Sequence, residues 1–285
     1  MATKSEPLAQ PATGPAPRPS GSGQPSRRPR QSFYRRHEAF ILGGSAVVLV
    51  IAVWQAFWSA GKISPLFLSG PSAIVKQFWE TLRHGTLLAD MRFSGINFIV
   101  GFGLALVTGV VLGVIIGWYR PVRLLFDPFL NALYATPRIA MIPMIIIWFG
   151  VGMWSKVFIV YITAVFPVLI NTVGGIRSID RDLLRAARAF CASDWQIFKT
   201  VAIPGSVPFI LTGVRQGVAL GLIGVVVGEM FGGSQGVGFM VAYGGQTFQT
   251  DTLFVGVSII AFAGILLTAL AEKLERRFSR WRPER

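Results

Sequence analysis

The chain alternates between long apolar stretches and short polar ones, and the apolar stretches predict helices that cross a membrane. An α-helix needs about 20 apolar residues to span the hydrocarbon core of a bilayer. Stretches of about that length lie at about residues 39–60, 93–118, 128–149, 157–175, 208–231 and 253–271. The fold class that follows is an all-α polytopic membrane protein with six transmembrane helices.

Small residues recur at four-residue spacing in two of these stretches. The second stretch carries Gly101, Ala105, Gly109, Gly113 and Gly117, and the fifth carries Gly213, Gly217 and Gly221. Residues spaced by four lie on one face of a helix, and a face of small residues allows two helices to approach closely in a membrane. We interpret the stripe of the second stretch as a packing face with no part in chemistry.

The third stretch is interrupted by Pro137 and Pro143, and it contains the cation Arg138. A proline breaks or kinks a helix because it has no backbone N–H and clashes with the preceding turn. Two interpretations of Arg138 stay open. A broken helix with a buried charge can line a cavity or pathway, or the side chain can extend to the inner headgroups.

The polar interval between the fourth and fifth stretches, at 176–207, predicts two short amphipathic helices. In the first, Asp180 or Asp182 is placed to cap the N-terminus. Apolar residues recur there at helical spacing, with arginines between them. These apolar residues are Leu183, Leu184, Ala186, Ala187 and Phe190, and the arginines are Arg181, Arg185 and Arg188.

The second helix opens at Ser193, with Gln196 three residues later in the spacing of a capping box. We expect Pro204 and Pro208 to end it. A pair of charged amphipathic helices can lie on lipid headgroups, or it can be bound by a soluble partner. The pattern alone leaves both interpretations open.

Composition and charge agree with a membrane protein and argue against a nucleic-acid partner. Of the 285 residues, 52% are hydrophobic and 14% charged, and the net charge is +14. The basic residues flank the apolar stretches and fill the two tails, as they do on the cytoplasmic side of membrane proteins. We therefore predict an inner cell membrane location with both termini, and the 176–207 interval, in the cytoplasm.

The distribution of residue types divides the chain into three segments. Residues 1–36 are rich in Pro, Ser, Gly and Arg and lack apolar periodicity, so we predict a disordered basic tail. The membrane domain follows over 37–275. Residues 276–285 form a second basic tail.

Motifs for catalysis and nucleotide binding are missing from the sequence. No G-x-x-x-x-G-K-[ST] loop is present to cradle ATP phosphates. His37 and His84 stand alone, and the single cysteine, Cys191, belongs to no metal-ligand spacing. We therefore predict no catalytic residue, no metal, no cofactor and no enzymatic activity. A self-sufficient secondary carrier or channel is one function that needs none of these.

The 176–207 interval resembles the EAA loop of ABC importer permeases. Ala186, Ala187, Pro204 and the spacing between them match that loop. Arg185 stands where the family has Glu, and Cys191 stands where it has Gly. In the second stretch, Asn97 stands where related permeases usually carry Arg.

The resemblance extends over about residues 60–280 and is strongest to the permeases for nitrate, sulfonate and taurine. The shared segments are Phe126-Asp127-Pro128, Thr136-Pro137 with Ala140 and Pro143, Trp148-Phe149-Gly150-Val151-Gly152, Ser155-Lys156, Phe166-Pro167, Asn171-Thr172, Glu229-Met230 and Gly232-Gly233-Ser234-Gln235-Gly236-Val237-Gly238. Together these segments are specific at the level of the family.

The resemblance implies the type I ABC importer fold and a permease subunit that forms the pathway for a small, anionic solute. It implies three partners: a cytoplasmic ABC ATPase that binds the ATP, an extracytoplasmic solute-binding protein, and a second permease copy in a homodimer. The implied ATPase-coupling residues are Leu183, Leu184, Arg185, Ala186, Ala187, Phe190, Cys191 and Pro204. Arg138 and Asn171 are candidates for the pathway, since an arginine there suits an anion, and so is Glu229, for which we favour a structural or gating role.

Overall fold

The computed structural model describes residues 33–61 and 64–278, with side chains for 42–61 and 64–277. Its contacts divide the chain into one unit at residues 1–50 and a second at 51–285. In the first unit the described residues are all helical and form the beginning of α1 (Phe33–Ser59). Residues 1–32 of the predicted N-terminal tail, and 279–285 of the C-terminal one, lie outside the described residues.

The described part of the second unit continues α1 and holds ten further α-helices. These are α2 (Pro71–Arg83), α3 (Thr86–Trp118), α4 (Arg120–Ala135), α5 (Ile142–Phe149), α6 (Met153–Arg177), α7 (Arg181–Ala189), α8 (Asp194–Ile197), α9 (Ile203–Gly232), α10 (Val237–Gln246) and α11 (Thr250–Phe278). A 3₁₀ turn (Arg138–Met141) precedes α5, and a π-helical turn (Phe198–Ala202) joins α8 to α9. Over the described residues the fold is all-α, as the apolar pattern predicts.

Among the described residues, five helices are long and apolar enough to cross a membrane, and a bent pair brings the number to six if it counts as one span. The five apolar segments are Leu42–Ser59, Thr86–Trp118, Met153–Arg177, Asp194–Gly232 and Thr250–Arg277. The third predicted span, at about 128–149, corresponds to the bent pair, in which Arg120–Ala135 and Arg138–Phe149 meet at 85°.

The bend follows from Pro137. A proline restricts the residue before it to extended backbone, and Thr136 accordingly has φ −71° and ψ 130° and ends α4. Pro143, by contrast, lies in the first turn of α5, where its missing N–H has no helical acceptor to lose. The expectation that both prolines interrupt the span is therefore correct for Pro137 and wrong for Pro143.

The centre of the fold is α6, which packs between α3 and α9 and is the most buried of the long helices. The glycine stripes of α3 and α9 both face α6, so the interpretation of the first stripe as a packing face is confirmed. A Cβ atom at Gly101 would lie 2.6 Å from the Val157 carbonyl oxygen. A side chain there would have to push the two backbones apart.

A smaller apolar cluster joins α2, α10 and α11 to the beginning of α3. Leu87, Met240 and Val255 form its buried centre. The apolar face of α2 covers this cluster through Ile74 and Phe78. Both α2 and α10 are too short to span a bilayer, and their packing holds the end of α9 opposite the α6–α9 loop.

Candidate functional site

The loop between α6 and α9 contains the first predicted amphipathic helix, α7. Asp180 is its N-cap, and its Oδ1 accepts a hydrogen bond from the backbone N–H of Asp182 at 2.8 Å. The predicted apolar residues divide into two groups: Leu184 and Ala187 are half-buried, whereas Leu183 is 55% exposed. The apolar surface of α7 is thus largely uncovered in the single chain.

A tight turn ends α7. The N–H of Cys191 bonds to the Arg188 carbonyl at 2.9 Å, and the N–H of Ala192 bonds to the Ala187 carbonyl at 3.1 Å. These two bonds form a Schellman motif, in which the residue after the helix takes a left-handed backbone. Cys191 has φ +55°, a conformation that glycine adopts without strain. The Gly of the related loop therefore has a backbone reason, and Cys191 takes the same conformation at a steric cost.

Phe190, at the end of α7, is the most exposed large apolar side chain of the loop, at 86%. Arg185 forms an ion pair with Asp182, one turn earlier on the same helix, at 2.7 Å. Both partners are largely exposed to solvent, so the pair contributes little to stability. Arg185, which stands where the related loop has Glu, therefore finds an acidic partner within α7 itself.

The second predicted helix begins as expected and ends differently. Ser193 and Gln196 form a complete capping box at the start of α8. The chain then passes through the π-helical turn directly into α9, with Pro204 in the first turn of α9 and Pro208 inside it. The expectation that Pro204 and Pro208 end the helix is wrong. Pro204 follows the π-helical turn inside a helical run that continues from Asp194 to Gly232.

An aromatic cluster beside α8 was missed by the reasoning from sequence. Trp195 stacks on Phe198 with ring centroids 5.5 Å apart, and Phe198 meets Trp118 of α3 edge-on at 5.1 Å. A cavity of about 410 Å³ adjoins these rings. The aromatic residues follow each other at helical spacing in the sequence, but their partner on α3 is about 80 positions away, so no local pattern could have found the cluster.

Arg138 is held at the bend between α4 and α5. Its guanidinium lies 4.9 Å from the ring centre of Phe166 on α6 and 5.1 Å from that of Tyr134. One terminal nitrogen reaches the Tyr134 carbonyl at 3.4 Å, whereas the buried Nε has no partner among the described residues. The guanidinium is therefore fixed by aromatic faces, and no described carboxylate pairs with it.

Asn171 is half-buried on α6. Its Nδ2 donates to the Pro167 carbonyl at 2.8 Å and to Oε1 of Gln216 on α9 at 3.0 Å. Gln216 itself is exposed. The reasoning from sequence missed Gln216, although a polar residue near the centre of an apolar stretch is the signal that could have found it.

Glu229 lies at the other end of α9 and is fully buried. Its carboxylate accepts hydrogen bonds from the Ser94 hydroxyl at 2.8 Å, the Asn97 amide at 3.2 Å and the backbone N–H of Gly238 at 2.9 Å. These donors come from α3 and from the beginning of α10. The structure thus brings Glu229 together with neither Arg138 nor Asn171, the other two pathway candidates.

The turn between α9 and α10, at 233–236, is tied to α3 by two more bonds. The N–H of Gly236 donates to Asp90 Oδ1 at 2.8 Å, and the N–H of Val237 donates to the Ser94 hydroxyl at 2.9 Å. On the other side, the buried Lys156 of α6 donates to the carbonyl of Gly232 at the end of α9. We call this turn, with Glu229 and its donors, the α9–α10 network.

The described residues thus combine apolar helices long enough to cross a membrane, an exposed loop with two capped short helices, and a bent helix pair that holds a cation. The comparisons with known proteins define the class of protein. The family model for the binding-protein-dependent transport system inner membrane component matches residues 109–280. The chain belongs to this family.

Two relatives illustrate the match. SsuC of Bacillus subtilis strain 168, a permease whose name assigns it to aliphatic sulfonates, is 34% identical over 248 residues, which are 87% of this chain and 90% of the relative. The taurine transport system permease protein TauC of Escherichia coli K12 is 30% identical over 254 residues, 87% of this chain and 92% of the relative.

The fold agrees with solved structures. A chain of the MetNI methionine ABC transporter in an inward-facing conformation matches with a TM-score of 0.61 over 69% of this chain and 97% of that one, at 16% identity. The fold is therefore that of ABC importer permeases. This chain is the transmembrane permease subunit of an ABC importer, with an ATPase and a solute-binding protein as its partners, and the self-sufficient carrier is not favoured.

Proposed function

We propose that this chain is one half of a homodimeric permease in the inner cell membrane, that it imports a small sulfonate-like anion, and that only the partner ATPase binds ATP. The observation that carries the proposal is the uncovered surface of α7 within a loop whose backbone is capped by its own residues. A segment that is ordered locally and exposes Leu183 and Phe190 is suited to enter a groove on a partner.

The coupling residues would act as a rigid insert. Ala186 and Ala187 are small and permit close approach, while Leu183, Leu184 and Phe190 supply apolar area. Closure of the two ATPases on ATP would move α7, and the continuous helix from α8 into α9 would carry that movement into the membrane. The permease would thereby switch between inward-facing and outward-facing states.

The proposed orientation has both termini and the α6–α9 loop in the cytoplasm. The basic residues of that loop and of the two tails support this, because lysine and arginine are concentrated in cytoplasmic segments. The α9–α10 network then lies on the external side. We assign Glu229 the role of holding that side of the permease together, and Arg138 and Asn171 the role of lining the pathway.

The proposed substrate class draws on the names of the two relatives and on Arg138. A guanidinium held by aromatic faces, without a described carboxylate partner, can attract an oxyanion in a region of low dielectric constant. A homodimer would bring two such cations to the pathway. Sulfonates are small anions of this kind.

The test is transport by the full complex. The chain should be reconstituted in liposomes with its cognate ATPase and solute-binding protein, and uptake of taurine, an alkanesulfonate and a neutral solute of similar size should be measured with and without ATP. We expect ATP-dependent uptake of the sulfonates only. Uptake without the ATPase would favour the secondary carrier, and uptake of only the neutral solute would overturn the substrate class.

A second measurement tests the coupling loop. Ala187→Glu places a charge in the half-buried face of α7 and should abolish co-purification of the ATPase, while Gly205→Ala, which adds a methyl group in open space on α9, should not. Co-purification that survives Ala187→Glu would remove α7 from the contact.

A further inference from the structure

A hydrogen bond between the side-chain amides of Asn171 and Gln216 joins two membrane-spanning helices. The pair bridges α6 and α9, and Gly213 provides the room for it: a Cβ there would lie 2.9 Å from that of Asn171. Both amide hydrogens of Asn171 are used, one by the Pro167 carbonyl and one by Gln216 Oε1. The Asn171 amide therefore fixes the orientation of the Gln216 amide.

Since Oε1 of Gln216 is the atom that accepts from Asn171, the Nε2 group is not used by the pair. None of the residues described by the structure accepts a hydrogen bond from this nitrogen, and the side chain is exposed. Gln216 lies near the middle of α9 (Ile203–Gly232). A primary amide that faces hydrocarbon leaves two donors unsatisfied at a cost of several kcal/mol. The exposed side of Gln216 is therefore better suited to a polar environment than to hydrocarbon.

The neighbouring surface of α6 is also open, and it is bordered by a cation. Residues advance by about 100° along a helix, so Phe166, Ile170 and Gly174 lie within about 80° of arc, with Asn171 beyond Gly174. Ile170 and Gly174 are exposed. Arg138 covers Phe166 at one margin of this face, and the amide pair lies at the other.

The next cation on α9 is engaged elsewhere. The guanidinium of Arg215 lies 3.8 Å from the Glu272 carboxylate and 3.6 Å from that of Glu275, both on α11. Its charge is directed toward α11. The open face of α6 is thus bordered by the Arg138 guanidinium and by the two N–H groups of Gln216, which are all donors.

We propose that Gln216 contacts the transported anion directly: its Nε2 group donates to an oxyanion passing along this face, and Asn171 is the positioning residue that holds the amide in that orientation. The ligand class is a small organic oxyanion with a sulfonate-type head. The inference rests on the proposed function, because it names the group that the substrate of the same pathway meets.

The decisive variant is Gln216→Glu. A carboxylate keeps the acceptor that Asn171 Nδ2 needs and replaces the free donors by a negative oxygen. If Gln216 only joins the helices, this variant transports normally. If it contacts the anion, we expect sulfonate uptake to fall by about tenfold or more, the loss that follows removal of a hydrogen bond to a charged group. Gln249→Glu makes the same charge change at an exposed turn and should leave uptake unchanged.

Uptake and ATP hydrolysis stimulated by the solute-binding protein, measured together, separate the proposed substrate class from the proposed role of Gln216. Wild-type chain that takes up no sulfonate overturns the proposed substrate class. Wild-type uptake together with equal uptake by Gln216→Glu overturns only the role of Gln216. A loss of stimulated ATP hydrolysis in parallel with uptake assigns Gln216 to coupling and also overturns the contact.

Labelling tests the polar environment without any substrate. In a Cys191→Gly background, Gln216→Cys should react with a membrane-impermeant, anionic thiosulfonate about tenfold faster than Val107→Cys, since charged pathways concentrate ions of the opposite sign. Val107 is exposed on the side of α3 opposite its glycine stripe, where we expect lipid. A membrane-impermeant cationic thiosulfonate, used for comparison, should react more slowly than the anionic one at position 216. Equally slow reaction of the cysteines at positions 216 and 107 would place Gln216 in lipid or in a subunit contact and overturn the proposal.

Discussion

The two ends of α9 differ in where the hydrogen-bonding partners of their polar groups come from. At the α9–α10 network, a fully buried carboxylate is shared by donors from two other helices. At the α6–α9 loop, every cap is local, and Phe190 and Trp195 remain 86% and 68% exposed. The single chain thus buries the polar groups at one end of α9 and leaves large apolar side chains exposed at the other. Under the proposed function, the exposed end is the one that binds the ATPase.

The largest effect should come from Gly236→Ala, which disrupts the α9–α10 network. Gly236 has φ +113°, and a Cβ there would lie 2.5 Å from the Glu229 carboxylate. Strained backbone and overpacking together should destabilise the fold by about 3 kcal/mol. A thermal unfolding curve of the purified protein in detergent should show a clearly lower Tm. Gly174→Ala, with open space around it, is the control, and an equal Tm for both variants would contradict the packing.

Glu229→Ala should have the next largest effect. It leaves the Ser94 hydroxyl, the Asn97 amide and the Gly238 N–H without their acceptor, at a cost of about 2 kcal/mol. The same unfolding measurement applies, and Glu229→Gln should fall between the variant and wild type because one oxygen is retained. A Tm that does not change in Glu229→Ala would show that the carboxylate is dispensable for the network.

Arg185→Glu tests the proposed contact between α7 and the ATPase. We expect the ATPase surface opposite this position to be acidic or neutral, so the variant should weaken ATPase binding by about fivefold, or about 1 kcal/mol. The Tm should change little, because the ion pair with Asp182 is exposed. Arg181→Glu makes the same charge change in the first turn of α7 and separates a general charge effect from one at this position. Improved coupling in Arg185→Glu would contradict the expectation.

Cys191→Gly should have the smallest effect, and a favourable one. Glycine relieves the left-handed backbone at φ +55°, which is worth about 1 kcal/mol in local stability. Native-state hydrogen exchange at Ala192 should slow about fivefold, while Cys191→Ser should leave it unchanged. Faster exchange in the glycine variant would mean that its added freedom in the open state outweighs the strain.

The features that could be predicted from the sequence are those with a local signal. The apolar lengths predicted the spans, the four-residue spacing predicted the α3 face, and Ser193 with Gln196 predicted a cap. The α9–α10 network had no such signal, because Asp90 and Ser94 lie more than a hundred positions before the turn they hold. The proposed ATPase-coupling role of the α6–α9 loop came from the resemblance to a family and not from a local pattern.

Two errors came from proline. Pro204 and Pro208 were expected to end a helix, and Pro143 to interrupt one, yet all three lie within helices or in their first turns. A proline removes one N–H, which the first turn of α5 can spare at Pro143. Pro208 lies inside α9, which begins at Ile203 directly after the π-helical turn at Phe198–Ala202.

The unbroken passage from α8 to α9 makes one rod of 39 residues, Asp194–Gly232. At 1.5 Å per residue it is about 58 Å long, enough to run from the aqueous phase on one side of a bilayer to the other. A tilt imposed at Trp195 would then reach Gly232, whose carbonyl accepts from Lys156, through helix alone. The π-helical turn and Pro208 are the places where such a rod would bend.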